Sequence, residues 1–222
     1  MKDSAAALPV ATRAPIRLIT ISREFGAGGS ELGELLGKEL GWRVLDHELV
    51  QHLAARLRCD EGEVKAMDEH VPSLLERLAS AAVITAPELR VQTRPWTTDP
   101  DCIASAAREV LQAAVQTLPL IVVGHGGNCL FRSRTDVLRV RVTAPFDLRV
   151  RRVAQRTGDS FPQAAAAVRR KDADRQQYLQ RYYQSNLNDP NEYDLQINTG
   201  TVPLDAAARL VLALLRRDTA AL

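Results

Sequence analysis

A β-branched apolar run that passes through glycines straight into a leucine-bearing helix leaves a chain few ways to fold. Residues 17–40 read RLITIS, then REFGAGGS, then ELGELLGKEL. The first six residues suit one buried strand. Leu32, Leu35, Leu36 and Leu40 recur with helical spacing. Gly26, Gly28 and Gly29 lie between the two segments. Such a turn is a device for holding phosphate. Glycines let the backbone approach an anion, and the first N–H groups of a helix are unpaired at the positive end of its dipole. The stretch therefore reads as the anchor of a nucleotide site.

The rest of the chain alternates in the same way. The pattern predicts a helix at 31–40 closed by Gly41, a short strand at 42–45 with Asp46 at its end, and a helix opening at 47. Further helices are expected at 60–70 and 72–84, with a proline-bearing connection at 86–100. A helix at 101–117 leads to the wholly apolar run Leu120–Val123, which Gly124 ends; this reads as a buried central strand. At 137–142, Arg139 and Arg141 alternate with Leu138, Val140 and Val142, which predicts a strand near the sheet edge with one face less covered. An arginine-rich helix at 145–157, a long charged helix at 161–183, a polar loop at 186–193, a strand at 194–197 and a helix at 204–216 complete the chain. Strands alternating with helices imply an α/β fold with a parallel sheet covered on both faces.

Composition narrows the function classes. The 222 residues, 45% of them hydrophobic, suit one domain with a lid. A net charge of +2 gives no general pull toward nucleic acid. The three cysteines are an odd number without a CxxC unit, which argues against a disulfide framework or a zinc site. No apolar run reaches the ~20 residues of a membrane span. Residues 1–15 are too short and polar for a signal peptide and are expected to form a disordered tail. A cytoplasmic chain with no membrane partner is the resulting expectation.

The glycine loop admits three readings. Against the phosphate-loop pattern G-x-x-x-x-G-K-[ST], the eight residues REFGAGGS match at Gly28 and Ser30, with Arg23 at the first glycine and Gly29 at the lysine. Against the dinucleotide pattern G-x-G-x-x-G, Gly26 and Gly28 fit and Asp46 lies at a ribose-binding distance, but bulky Glu31 stands at the third glycine. The third reading is a glycine-rich turn that binds nothing. In a lysine-free phosphate loop, Arg23, Arg151, Arg152, Arg156, Arg169, Arg170, Lys171 and Arg175 are the candidate cations. A guanidinium holds phosphate through two parallel hydrogen bonds, so one well-placed fork can replace an ammonium. Plain structural readings stand beside these. Asp46 is a good helix cap, His125 suits a hydrogen-bonded turn, and helix 161–183 can be a solvated face with pairs such as Arg170–Asp174. That helix also carries Tyr178, Tyr182 and Tyr183, and its Asp172 and Asp174 can orient the arginines or bind magnesium water.

Together these motifs resemble the cytidylate kinase-like family. The resemblance rests on ISREFGAGG, the strand ending in Asp46, the turn Gly124-His125-Gly126, the segment RRKDADRQQYLQRYY and the close DPNEYDLQINT, and it runs from about 17 to 215. It implies a P-loop kinase-type three-layer α/β fold over 16–222, with a parallel five-stranded sheet. It also implies an acceptor-binding insert at about 60–100 and a helical lid at about 158–184. The implied activity is transfer of the γ-phosphoryl group of ATP to a small acceptor, a nucleoside monophosphate such as CMP, with Mg2+. Gly26, Ala27, Gly28, Gly29, Ser30 and Glu31 would hold the donor, and Ser30 would meet the metal. Asp46, His125 and Gly126 would face the acceptor. Arg170, Lys171 and Arg175, with Arg152 before them, would close over the transferring group, while Arg23 is the candidate from the residues themselves to replace the missing lysine. The chain departs from cytidylate kinase itself at Gly29, in place of the lysine, and at His125, in place of an arginine. A non-catalytic nucleotide or phosphate sensor on the same fold is the alternative, and a pyridine-nucleotide enzyme, disfavoured by Glu31, is a third.

Overall fold

The computed structural model describes residues 14–46, 50 and 100–220, with side chains to 215. In order these are β1 (Leu18–Arg23), α1 (Gly29–Leu40), β2 (Arg43–Leu45), α2 (Pro100–Ala114), β3 (Leu120–Val123) and α3 (Gly127–Leu130). They continue as β4 (Val137–Thr143), α4 (Phe146–Thr157), α5 (Phe161–Tyr183), β5 (Leu195–Asn198) and α6 (Leu204–Ala220). The helices expected within 60–84, the connection at 86–100 except Pro100, and the tail before residue 14 lie outside the described residues.

The strands form one parallel sheet in the order β2-β3-β1-β4-β5. β1 is central, with Ile19 opposite Ile121 on one side and Leu138 on the other. Side chains alternate between faces, and here both faces are apolar. Leu18, Leu120, Val122 and Val137 pack with Val110, Leu111 and Phe131 on one side. Ile19, Ile21, Val123, Val140 and Val142 pack with Leu32, Leu36 and Val211 on the other. A three-layer core results, in which each fully buried Leu or Ile contributes roughly 1.5–3 kcal/mol. Because every strand runs the same way, the ends carrying Arg23, Asp46 and Gly124 share one edge. In open α/β sheets that edge is where ligands bind.

Two local expectations are refined. α1 begins at Gly29, two residues early, because Gly28 holds φ +90° and turns the chain directly into the helix. β4 lies one strand in from the edge, yet its arginine side is not open. Arg141 is 2% exposed. It donates to Asn188 Oδ1 at 3.1 Å and to the Tyr193 hydroxyl at 3.5 Å, with its guanidinium 5.4 Å from the Tyr193 ring centroid. Arg139 pairs with Asp194 at 3.1 Å. The segment before β5 thus supplies the cover that a helix supplies elsewhere.

Candidate nucleotide and phosphate site

The loop after β1 is held from behind. Thr199, just past β5, donates through Oγ1 to the Ala27 carbonyl at 2.7 Å. Arg152 in turn grips Thr199, with Nη1 to Oγ1 and Nη2 to the carbonyl, both at 2.9 Å. α1 starts without a side-chain cap. Its first N–H groups therefore have no capping side chain, the condition under which a helix start accepts an anion. Ser30 lies exposed on its first turn.

The loop borders a cavity of about 730 Å³ at the carboxyl edge of the sheet. Ser22, Arg23 and Ser30 line its base. Asp46, Gly124, His125, Gly126 and Asn128 form one side. Arg156 of α4, with Lys171, Asp174, Arg175 and Tyr178 of α5, forms another. Ser22 and Asn128 are nearly fully buried and joined by a 3.0 Å hydrogen bond, which locks β1 to α3 beneath the cavity. The turn into α3 is tightly wound: Gly124, His125 and Gly126 hold φ of +91°, +52° and +66°. His125 is buried in a backbone conformation that a non-glycine residue seldom adopts.

Arg23 crosses the base of the cavity. A Cβ on Gly29 would lie 2.6 Å from Arg23 Cβ, and a Cβ on Gly124 would collide with Arg23 Nη1. The side chain thus starts against the loop and ends against the β3–α3 turn. Its Nε is buried with no hydrogen-bond partner among the described residues. Burial, and then the nearby Arg175 cation, hold its pKa down at about 9, while Asp46 and Glu31 pull it up. Arg175 is also shifted downward, chiefly by burial. Two guanidiniums line one cavity, which is an environment suited to a multiply charged anion.

The long helix α5 is tied directly to the loop. Asp172 accepts the Phe25 backbone N–H at 2.8 Å and meets Arg149 Nη1 at 2.6 Å. Arg149, 7% exposed at its side chain, also donates to the Phe25 carbonyl at 3.1 Å and lies 3.3 Å from Glu24. Arg175 donates to the Arg23 carbonyl at 3.1 Å. Arg156 and Arg175 each lie over the Phe25 ring, at 5.6 and 5.5 Å from its centroid.

Of the residues singled out in the sequence, Arg23, Ser30, Asp46, His125, Gly126 and Arg175 meet at this cavity. Gly26, Ala27, Gly28 and Gly29 form the adjoining loop, and exposed Glu31 lies 3.7 Å from Arg156. Arg152 is not among the lining residues; it supports the loop through Thr199. Arg170 is exposed and does not line the cavity either. Arg149 escaped the sequence reading. One signal was available: it lies one helical turn before Val153, on the buried side of α4. No group of three or more His, Cys, Asp or Glu side chains placed to hold a metal ion occurs among the described residues. No helix among them is long and apolar enough to cross a membrane.

Comparison with known proteins accords with this geometry. A protein of unassigned role from Eubacterium ventriosum superposes with a TM-score of 0.66 at 18% identity, over 90% of this chain and 98% of that one. Shikimate kinase from Bacteroides thetaiotaomicron superposes with a TM-score of 0.51 at 12% identity, over 90% and 98%. These similarities show the P-loop kinase fold. Cytidylate kinase of Saccharolobus islandicus (strain L.S.2.15 / Lassen #1) is 26% identical over 108 residues, 49% of this chain and 57% of that protein. Cytidylate kinase of Sulfolobus acidocaldarius is 29% identical over 98 residues, 44% and 53%. The chain thus spans just over half the length of the curated relatives it matches. The sequence profile of the cytidylate kinase-like family matches residues 18–201, most of the chain, and the protein belongs to that family.

Proposed function

We propose that the protein is an ATP-dependent phosphotransferase whose acceptor is a nucleoside monophosphate such as CMP. The observation that carries this reading is the uncapped start of α1 bordering a cavity where Arg23, Arg156, Lys171 and Arg175 gather. The family and the fold support it. Phosphoryl transfer asks little covalent chemistry of a protein. It asks for alignment and for charge neutralisation.

The loop from Gly26 to Ser30, with Glu31 at its edge, would hold the donor phosphates through backbone N–H groups. Asp46, His125 and Gly126 would face the acceptor, the histidine in place of a cation. An acceptor phosphate oxygen attacks the γ-phosphorus in line as the bond to the β–γ bridging oxygen breaks, and the departing ADP carries the electron pair. Arg23 and Arg175 would neutralise the equatorial oxygens. Arg152 would act by holding the loop through Thr199. Ser30 suits Mg2+, which supplies charge neutralisation to the donor when bound. α5, already tied to the loop by Asp172, would keep water from the transferring group.

Turnover is tested by incubating the protein with ATP, magnesium and each of CMP, UMP, AMP and shikimate, and following ADP. Transfer to CMP is expected, with Arg175→Ala lowering kcat by about 10³-fold or more, as for a lost transition-state arginine. ATP binding without transfer to any acceptor would instead point to the sensor reading.

A further inference from the structure

We infer that Arg23 is a fixed clamp spanning the donor and acceptor ends of the cavity, and that Gly29 is a glycine because that side chain needs its space. The inference rests on the phosphotransferase reading and specifies which group grips the phosphoryl moiety between the two ligands.

The support is steric first. A lysine at position seven of a phosphate loop must leave its own Cα through the space above the loop. Here that space at Gly29 is filled: a Cβ would meet Arg23 Cβ at 2.6 Å and Cγ at 2.9 Å. The arginine at position one and the missing lysine at position seven are therefore one coupled exchange. At its far end Arg23 lies against Gly124, on the turn leading into α3, where any side chain would strike Nη1. A lysine springing from the donor loop has no anchor there. Arg23 has one at each end, so its planar fork is aimed before ligand arrives. Its buried, unpaired Nε is a donor still lacking an acceptor among the described residues, a costly condition that a phosphate oxygen would relieve. Arg175, itself held to the Arg23 carbonyl, adds the second positive charge.

The test is a double-mutant cycle on the full chain: Arg23→Gly, Gly29→Lys and both together, with Arg23→Lys as the charge-preserving variant. Calorimetry would read affinity for two probes, tripolyphosphate for the donor end and CMP for the acceptor end. Arg23→Gly is expected to lose about 10–100-fold for both, the worth of charge-assisted hydrogen bonds. Gly29→Lys alone should lower Tm and weaken both probes, because two side chains claim one space. The double variant should recover Tm and tripolyphosphate affinity but not CMP affinity, since its lysine lacks the Gly124 seat. Arg23→Lys should keep part of the tripolyphosphate affinity and little for CMP.

Equal binding of both probes by Arg23→Gly overturns the inference, as does a Gly29→Lys variant with unchanged Tm. Should the unmodified chain bind neither probe, the phosphotransferase reading fails by itself. The Tm cycle then still decides the steric coupling, with strong non-additivity supporting it and additivity overturning it.

Discussion

At the scale of single residues, Arg23 costs the empty protein stability. Its guanidinium is charged at neutral pH, since burial and Arg175 lower its pKa only to about 9. For a base whose folded pKa lies below its ordinary value, the charged form is penalised by folding. That penalty is complete below about pH 9 and shrinks as pH rises from there toward the ordinary guanidinium range. Replacing Arg23 by methionine, similar in reach but neutral, should therefore raise Tm in phosphate-free buffer by at least about 2 °C. In saturating tripolyphosphate the order should reverse, because only the arginine gains from ligand. Differential scanning calorimetry with and without the anion reads both. A methionine variant that melts below the parent in phosphate-free buffer would show that the cation is no burden.

At the scale of elements, α5 is organised around one carboxylate. Asp172 meets a loop N–H and a buried guanidinium at once, from a helix far along the chain. Removing it leaves Arg149 with carbonyl partners and Glu24, and leaves the Phe25 N–H without its acceptor. Asp172→Ala should thus cost about 1–3 kcal/mol in urea unfolding. Asp172→Asn should lie between, since an amide oxygen can still accept from Phe25. Hydrogen exchange separates this from general loosening: the Phe25 amide should exchange faster while those of α6, which packs with Leu32 and Leu36 of α1, stay protected. Uniform acceleration across both helices would contradict a local tie.

At the scale of the whole molecule, the packed tyrosines set the alkaline limit. Burial raises the pKa of Tyr178, Tyr183 and Tyr193 above the ordinary phenol value. For an acid, a raised folded pKa means that the unfolded chain gives up its proton first. The three phenols therefore leave stability unchanged below about pH 10 and subtract from it as pH rises further. Arg23 and Arg175, whose pKa values burial lowers, run the other way. Tyrosinate absorbance should accordingly lag behind a free-tyrosine curve, and most of it should appear together with loss of helical circular dichroism. A full tyrosinate signal at about pH 11 in a protein of native ellipticity would show the rings to be open to solvent.

The elements were legible where their cause is local. An unbroken LIVV run is a strand buried on both faces in any α/β chain, and Leu120–Val123 is that strand. Phe161–Tyr183 is helical because nothing after its opening Phe161-Pro162 breaks it. The glycine loop announced a bend between strand and helix because few other sequences tolerate one. What the residues alone left undecided was the direction of each arginine. Arg149 and Arg152 lie three positions apart on one helix, yet one meets Asp172 and the other Thr199. Arg139 and Arg141 alternate as if facing solvent, and a distant segment covers them. A guanidinium on a long stem has no local preference for a partner, so its place is set by which carboxylate, carbonyl or open space the folded chain brings within reach. Local sequence therefore determined the bend, the strands and the family. Only tertiary contact decided that Arg23 would lie across that bend, because the room it occupies belongs to Gly29 and Gly124, and only folding brings Gly124 beside it.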